Sequence, residues 1–303
     1  MSLAKIRAVK FRLAKVWAAG AWLLCLCGSA ALWGAEPIVV PLWSERGESA
    51  DPAWSDAAKA RMTVIRPDQP NGTAIVICPG GGYGGLVTGP EGTGIAQWLN
   101  KSGITGVVLE YRLPAGRHAV PLRDAQRALR LVRARAAEWG LQPTRVGILC
   151  FSAGGHLAST AATHFDEGQP DAAQPPDRLS SRPDFAILVY PVVTMGESTH
   201  GGSRKNLLGD NPSADLIRLY SNELQVGPKT PPIYLAHALD DKPVPPAHSQ
   251  RLYAALQKQQ IPSEYLELPS GGHGLNGYQG PMWEAWQAGS LKWLGRLPLP
   301  ASK

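Results

Sequence analysis

Ser152, Asp241 and His273 are a hydroxyl, a carboxylate and an imidazole in that chain order, each just past a stretch of strand character. Together they offer nucleophilic acyl transfer. A serine hydroxyl is a weak nucleophile unless a base takes its proton, and the base works best when an acid fixes its orientation and tautomer. The segment Val146-Gly-Ile-Leu-Cys-Phe-Ser-Ala-Gly-Gly-His-Leu-Ala158 passes from a strand pattern through Ser152 directly into a helical pattern. A serine on such a turn reads as a nucleophile elbow, which lifts Oγ clear of the backbone and aims the Ala153 N–H at a developing oxyanion. The elbow pattern G-x-S-x-G has Cys150 at its first position, so the match is partial and needs support elsewhere in the chain. Cys150 itself, in the strand, is expected to be buried and is not the nucleophile.

That support comes from two loops downstream and one upstream. His273 lies in Ser270-Gly-Gly-His-Gly-Leu275, where glycines let the ring swing towards Oγ, and it is the expected base. Asp240 and Asp241 compete for the acid. Asp241 is preferred for its spacing ahead of Val244-Pro245, which leaves Asp240 to cap the next helix or lie in solvent. Upstream, Cys78-Pro79 leads into Gly80-Gly81-Gly82. Without side chains, that backbone can approach a substrate and present N–H groups to an oxyanion, so the predicted donors are Ala153 with Gly81 or Gly82. Tyr83 and His200 are assigned to the substrate pocket. His156 and His237 are read as structural, and His118, His164 and His248 have no supporting context. No cofactor and no metal cluster is expected.

The elements that must hold these residues alternate. Strand patterns at 73–78, 104–111, 145–151, 184–193, 232–238 and 263–268 are separated by helical patterns at 94–102, 122–139, 152–163, 246–259 and 282–294. Strands alternating with helices predict an α/β fold: a mostly parallel sheet with helices on both faces, and chemistry at the carboxyl ends of its strands. Trp283, Trp286 and Trp293 of the last helix are expected to pack on that sheet. Residues 164–183 and 194–230 break the rhythm and are expected to form the pocket rim.

Of the 303 residues, the first 31 are expected to be a signal peptide. Lys5, Arg7, Lys10, Arg12 and Lys15 precede the apolar run Val16 to Cys27, and Ser29-Ala30-Ala31 fits a cleavage site. Cutting after Ala35 and an uncleaved anchor are the alternatives. One domain then spans 36–298. Removing those five cations lowers the formal net charge of +6 to +1, so the basic balance is a targeting feature and gives no support for nucleic-acid binding. Cys78 and Cys150 are read as buried, reduced thiols, with a bridge between them as the lesser alternative.

These motifs resemble those of secreted bacterial α/β-hydrolases of the acetylxylan esterase and feruloyl-esterase-like carbohydrate esterase group, near the dienelactone-hydrolase and prolyl-oligopeptidase-like branch. The resemblance covers about Ala74 to Leu294. It rests on Cys78-Pro-Gly-Gly-Gly-Tyr83, Glu110-Tyr-Arg-Leu113, Phe151-Ser-Ala-Gly-Gly-His-Leu-Ala158, Ser181-Arg-Pro-Asp-Phe185, Tyr190-Pro191, Asp241-Lys-Pro-Val-Pro245 and Gly272-His-Gly274. It implies an α/β-hydrolase fold, Ser152 as nucleophile, Asp241 as acid, His273 as base, and an acylated carbohydrate or other small ester as substrate. The family usually has glycine where Cys150 stands. A secreted prolyl-oligopeptidase-type peptidase and a non-catalytic binder on the same scaffold are the alternatives.

Overall fold

Ala74–Cys78, Val146–Phe151, Ala186–Val189 and Ile233–Ala238 are short apolar runs, and every residue in them is buried. A strand buried on both faces belongs inside a parallel sheet covered by helices, and the computed structural model, which describes residues 36–43, 56 and 59–299, has that architecture. In chain order the elements are β1 (Ile38–Pro41), β2 (Arg61–Ile65), β3 (Ala74–Cys78), α1 (Gly94–Asn100), β4 (Thr105–Glu110), α2 (Ala119–Ala134), β5 (Val146–Phe151) and α3 (Ser152–Thr163). They continue with β6 (Ala186–Val189), α4 (Gly201–Leu208), α5 (Ala214–Leu219), β7 (Ile233–Ala238), α6 (Ala247–Lys258), β8 (Ser263–Leu268), the single turn α7 (Leu275–Tyr278) and α8 (Gly280–Leu294). The expected signal segment and both of its cleavage sites fall outside the described residues. Among the described residues, no helix is long and apolar enough to cross a membrane.

The eight strands lie in the order β1-β2-β4-β3-β5-β6-β7-β8. From β4 to β8 all pairings are parallel, while β1 and β2 add antiparallel at one edge. The sequence reading did not anticipate those two edge strands. They are short, and β2 carries exposed Arg61 bridging to Glu110 with a 2.8 Å contact, so no continuous apolar run marks them. Alternation along each strand divides the core between the two faces. Leu129 and Val132 of α2, Leu157 of α3 and Leu252 of α6 fill one side. Ile95 and Leu99 of α1 and Trp283, Trp286 and Trp293 of α8 fill the other, as the tryptophan spacing predicts.

From β3 the chain goes outward to β4 on one side, and β5 lies on the other. The connections therefore diverge between β3 and β5, leaving a crevice at their carboxyl ends. Residues 79–82 and the turn at Ser152 leave the sheet at those two ends.

The structure separates the two stretches expected to form the rim. Residues 164–183 do not border the elbow. They link the end of α3 to the start of β6, and a helix returning between parallel strands must finish at the opposite edge of the sheet. There they pack on α2: Asp177 pairs with Arg127 at 2.8 Å and Asp166 pairs with Arg130. The 194–230 segment leaves from the carboxyl end of β6 and does reach the crevice, where Asn206 Nδ2 donates to the Gly82 carbonyl at 2.9 Å.

Candidate active site

At the carboxyl end of β5 the backbone is extended at Phe151 (φ −125, ψ 141), turns to φ 51 at Ser152 and enters α3 at once. An L-residue at positive φ is strained and persists where its surroundings fix it. Here the fixing element is the close approach of α3 to β3. A Cβ on Gly154 would lie 2.2 Å from the Cys78 carbonyl oxygen, so the last glycine of the elbow pattern cannot be replaced without moving the helix. At the first position of the pattern, the Cys150 thiol is fully buried and accepts the Cys78 N–H at 3.2 Å, just where β3 and β5 diverge. Both thiols are free, as expected, and the thiol takes over a hydrogen bond that the separating strands leave open. Cys150→Gly removes that acceptor and adds backbone freedom, for an expected loss of roughly 2–4 kcal/mol. The urea midpoint should fall while kcat stays largely unchanged. A collapse of kcat in folded Cys150→Gly would show that the turn is built on the thiol.

The three residues singled out for acyl transfer meet at this turn. His273 Nε2 lies 2.9 Å from Ser152 Oγ, and its Nδ1 lies 2.7 Å from Asp241 Oδ2. An ionised carboxylate only accepts, so Nδ1 carries the proton and Nε2 is left to accept from the serine hydroxyl. Burial pushes the Asp241 carboxyl up. Hydrogen bonds from His237 and His273 and from the Val244 N–H outweigh it and hold the group down at about 2. Asp240 does not cap the following helix; it is exposed to solvent, the second of the two expectations, but is not idle there. Its carboxylate accepts the Gly272 N–H at 2.8 Å and the Gly271 N–H at 3.3 Å, bracing the loop that carries His273. His237, read as structural, is buried beside the acid: its Nε2 is 2.8 Å from the Val244 carbonyl and 3.3 Å from Asp241 Oδ2. The i, i+4 spacing of His237 and Asp241 was the available signal.

The Gly80–Gly82 loop folds back on itself. Gly81 takes φ 129, and its carbonyl accepts from Gly84 at 3.0 Å and Gly85 at 3.1 Å. A Cβ on Gly81 would lie 2.3 Å from the Gly85 oxygen, which restricts this position to glycine. Among the described residues the Gly81 and Gly82 amides have no backbone partner. Ala153, in the first turn of α3, has no carbonyl four residues back within its helix. Tyr83 is not part of the pocket. Its side chain is 2% exposed and turns into the core, where its hydroxyl meets His156 Nδ1 at 2.9 Å. The loop leaves Tyr83 at φ 59, which sends the ring inward instead of towards solvent. His200, by contrast, stands beside the Gly80–Gly82 loop: a Cβ on Gly82 would lie 3.8 Å from its Cε1. Its Nδ1 accepts the Ser203 N–H at 3.2 Å at the start of α4, and burial, then the nearby His273, pushes its pKa down.

Sequence reasoning missed Glu91. It sits in a π-helical turn, Gly89–Thr93, ahead of α1, and is 3% exposed. Its Oε2 accepts the Gly80 N–H at 2.7 Å and its Oε1 accepts the Tyr190 hydroxyl at 2.9 Å. Lying in a polar loop with no motif around it, it gave no signal. Among the described residues no group of His, Cys, Asp and Glu has the arrangement of a metal site.

The fold agrees with known proteins. The BD-FAE family model matches residues 64–256. An acetylxylan esterase from Xylanibacter ruminicola is 38% identical over 226 residues, which is 73% of this chain and 45% of that protein. An endo-1,4-beta-xylanase B from Butyrivibrio fibrisolvens is 33% identical over 232 residues, 75% of this chain and 36% of that protein. This chain thus spans less than half the length of either relative. A solved structure, an acetyl ester-xyloside bifunctional hydrolase from Caldicellulosiruptor lactoaceticus, superposes with a TM-score of 0.78 at 37% identity, covering 85% of this chain and 95% of that one. With most of the sheet and the whole segment from β3 through Asp241 inside the matched region, the chain belongs to the BD-FAE family and has an α/β-hydrolase fold.

Proposed function

We propose that the chain is a serine esterase that removes acyl groups, acetyl above all, from xylan-type carbohydrate. The observation that carries this reading is the continuous relay from Ser152 Oγ through His273 to Asp241, with contacts of 2.9 and 2.7 Å. Ser152 Oγ attacks the ester carbonyl and its proton passes to His273 Nε2. The tetrahedral oxyanion is met by the Ala153 N–H and by Gly81 or Gly82. Collapse breaks the ester C–O bond, and the sugar hydroxyl leaves with the proton from His273. Water, deprotonated by the same imidazole, then attacks the acyl-enzyme, releasing the acid and restoring Ser152. His200 borders the space where the leaving sugar would lie. The acetylxylan and acetyl-xyloside relatives support an acetylated sugar as substrate, and the basic then apolar first 31 residues support export to the periplasm or medium.

The test is a substrate panel on the purified protein. Hydrolysis of p-nitrophenyl acetate, release of acetate from acetylated xylan, and covalent labelling of Ser152 by a fluorophosphonate are the expected results. Preference for feruloyl esters or for proline-containing peptides would replace the substrate assignment. Neither hydrolysis nor labelling would overturn the enzyme itself and favour a binding protein on this scaffold.

A further inference from the structure

A buried carboxylate carries a large desolvation cost, so Glu91, behind the nucleophile, calls for a physical account. Its position is tightly constrained. A Cβ added to Gly80 would lie 2.8 Å from Glu91 Oε2 and 3.0 Å from Ser152 Cβ, so the carboxylate and the nucleophile flank the same glycine. Glu91 also ties together two segments that are far apart in sequence. It accepts the Gly80 N–H from the loop after β3 at 2.7 Å and the Tyr190 hydroxyl from the end of β6 at 2.9 Å.

Tyr190 holds strained backbone, with φ 39, and its ring lies 4.9 Å from the His273 ring. A left-handed residue other than glycine costs on the order of 1 kcal/mol or more, and such a conformation survives where side-chain contacts over-determine it. At Tyr190 that contact is the Glu91 carboxylate. The Gly80 N–H can only donate and the Tyr190 hydroxyl donates to Oε1, a pair that a carboxylate accepts without a proton of its own.

We propose that Glu91 is a positioning residue for acyl transfer: an ionised carboxylate that fixes the oxyanion loop through Gly80, holds the Tyr190 ring against His273, and favours the imidazolium formed when His273 takes the serine proton. This role rests on the esterase reading above. Burial pushes the Glu91 carboxyl up, while the Gly80 N–H, the Tyr190 hydroxyl, the His273 charge and the Tyr278 hydroxyl pull it back towards ionisation. The groups facing His273 are Asp241 from the loop after β7, Ser152 from the elbow, the Tyr190 ring at 4.9 Å, His200 from the segment before α4, and Glu91.

The test compares Glu91→Gln with wild type on p-nitrophenyl acetate across pH. The amide keeps shape and volume but loses the charge. The expected result is a fall in kcat of roughly 10- to 100-fold with KM nearly unchanged, and a shift of the acid limb of kcat/KM to lower pH by about half a unit, because a negative charge that favoured imidazolium is gone. Wild-type kcat, or a lowered kcat with an unmoved acid limb, would overturn the proposal, the latter by leaving Glu91 a purely structural part. If Glu91→Gln does not fold by circular dichroism, Tyr190→Phe decides, since it removes one donor to the carboxylate and keeps both the charge and the ring beside His273. A fall in kcat of about 3- to 10-fold at constant KM supports the role, and wild-type kcat overturns it. Wild-type labelling by a fluorophosphonate, run in parallel, keeps a failure of the esterase reading separate from a failure of the Glu91 role.

Discussion

Ser152→Ala is expected to lower kcat on p-nitrophenyl acetate by about five to six orders of magnitude while leaving the unfolding free energy from urea titration within about 1 kcal/mol of wild type. The stability expectation follows from the turn: Ser152 sits at φ 51, a position where alanine and serine carry similar strain, and Gly154 still lets α3 approach β3. The loss in rate follows from the relay, in which, among the described residues, no other hydroxyl bonds His273 Nε2. The residues act as a unit, so Ser152→Ala combined with His273→Ala should be no slower than either alone. Asp241→Asn should cost about 10⁴ in kcat. Its amide nitrogen would face the His273 Nδ1–H and force the proton to Nε2, the atom that must accept from Ser152. The same amide would meet His237, whose Nε2 lies 3.3 Å from the carboxylate. Steady-state kinetics on the purified variants, with mass spectrometry to exclude wild-type carry-over, checks the series. A Ser152→Ala protein that turns over at near wild-type rate would remove the nucleophile from this site and the relay with it.

The parts of this site that were legible in the sequence are those fixed by local backbone demands. Strand runs of β-branched residues, glycines at forced turns and an Asp ahead of Val-Pro all leave marks within a few residues. From such marks Ser152, Asp241, His273 and the Gly80–Gly82 loop are placed at strand ends on one edge of the sheet. Side-chain direction across a sheared turn leaves no such mark. Tyr83 directly follows Gly80–Gly82, yet φ 59 turns it into the core and onto His156. Residues 164–183 have the composition of a rim loop, but their edge of the sheet is decided by where α3 ends. Glu91 is the clearest case. Its hydrogen-bond partners lie at Gly80 and Tyr190, and only the assembled sheet brings them to one carboxylate.

Acid should unfold this protein well above the pH at which carboxylates titrate, and two buried histidines set that range. His156 is completely buried; its Nδ1 accepts the Tyr83 hydroxyl at 2.9 Å and its Nε2–H donates to the Tyr220 carbonyl at 2.8 Å. His248 Nδ1 accepts the Val193 N–H at 2.9 Å, and its Nε2–H donates to the Ser198 carbonyl at 3.0 Å. Burial pushes both rings down to about 4. Protonating His248 would place an N–H against the Val193 N–H, with no acceptor between them. The folded values lie below the unfolded value of about 6.5, so the unfolded chain takes up protons first. Stability is therefore complete above about 6.5, falls as the pH drops towards 4 and is flat below that, with up to about 3 kcal/mol at stake for each ring. Against a total of about 5–15 kcal/mol for a domain, two such losses are decisive. Asp241, held at about 2, extends the decline to lower pH. Glu91 works in the opposite sense, because burial pushes its pKa up and the fold binds its proton more readily. Urea midpoints at pH 7.5, 5.5 and 4.5 should fall steeply, and His248→Gln should remove about half of the slope. Glutamine can still accept from Val193 and donate to Ser198, but it does not titrate. Loss of activity should track the same range, because His248 anchors residues 193–198, which lead to His200 beside the Gly80–Gly82 loop. Midpoints that stay level from pH 7.5 to 4.5 would show that these rings are not held neutral by the fold.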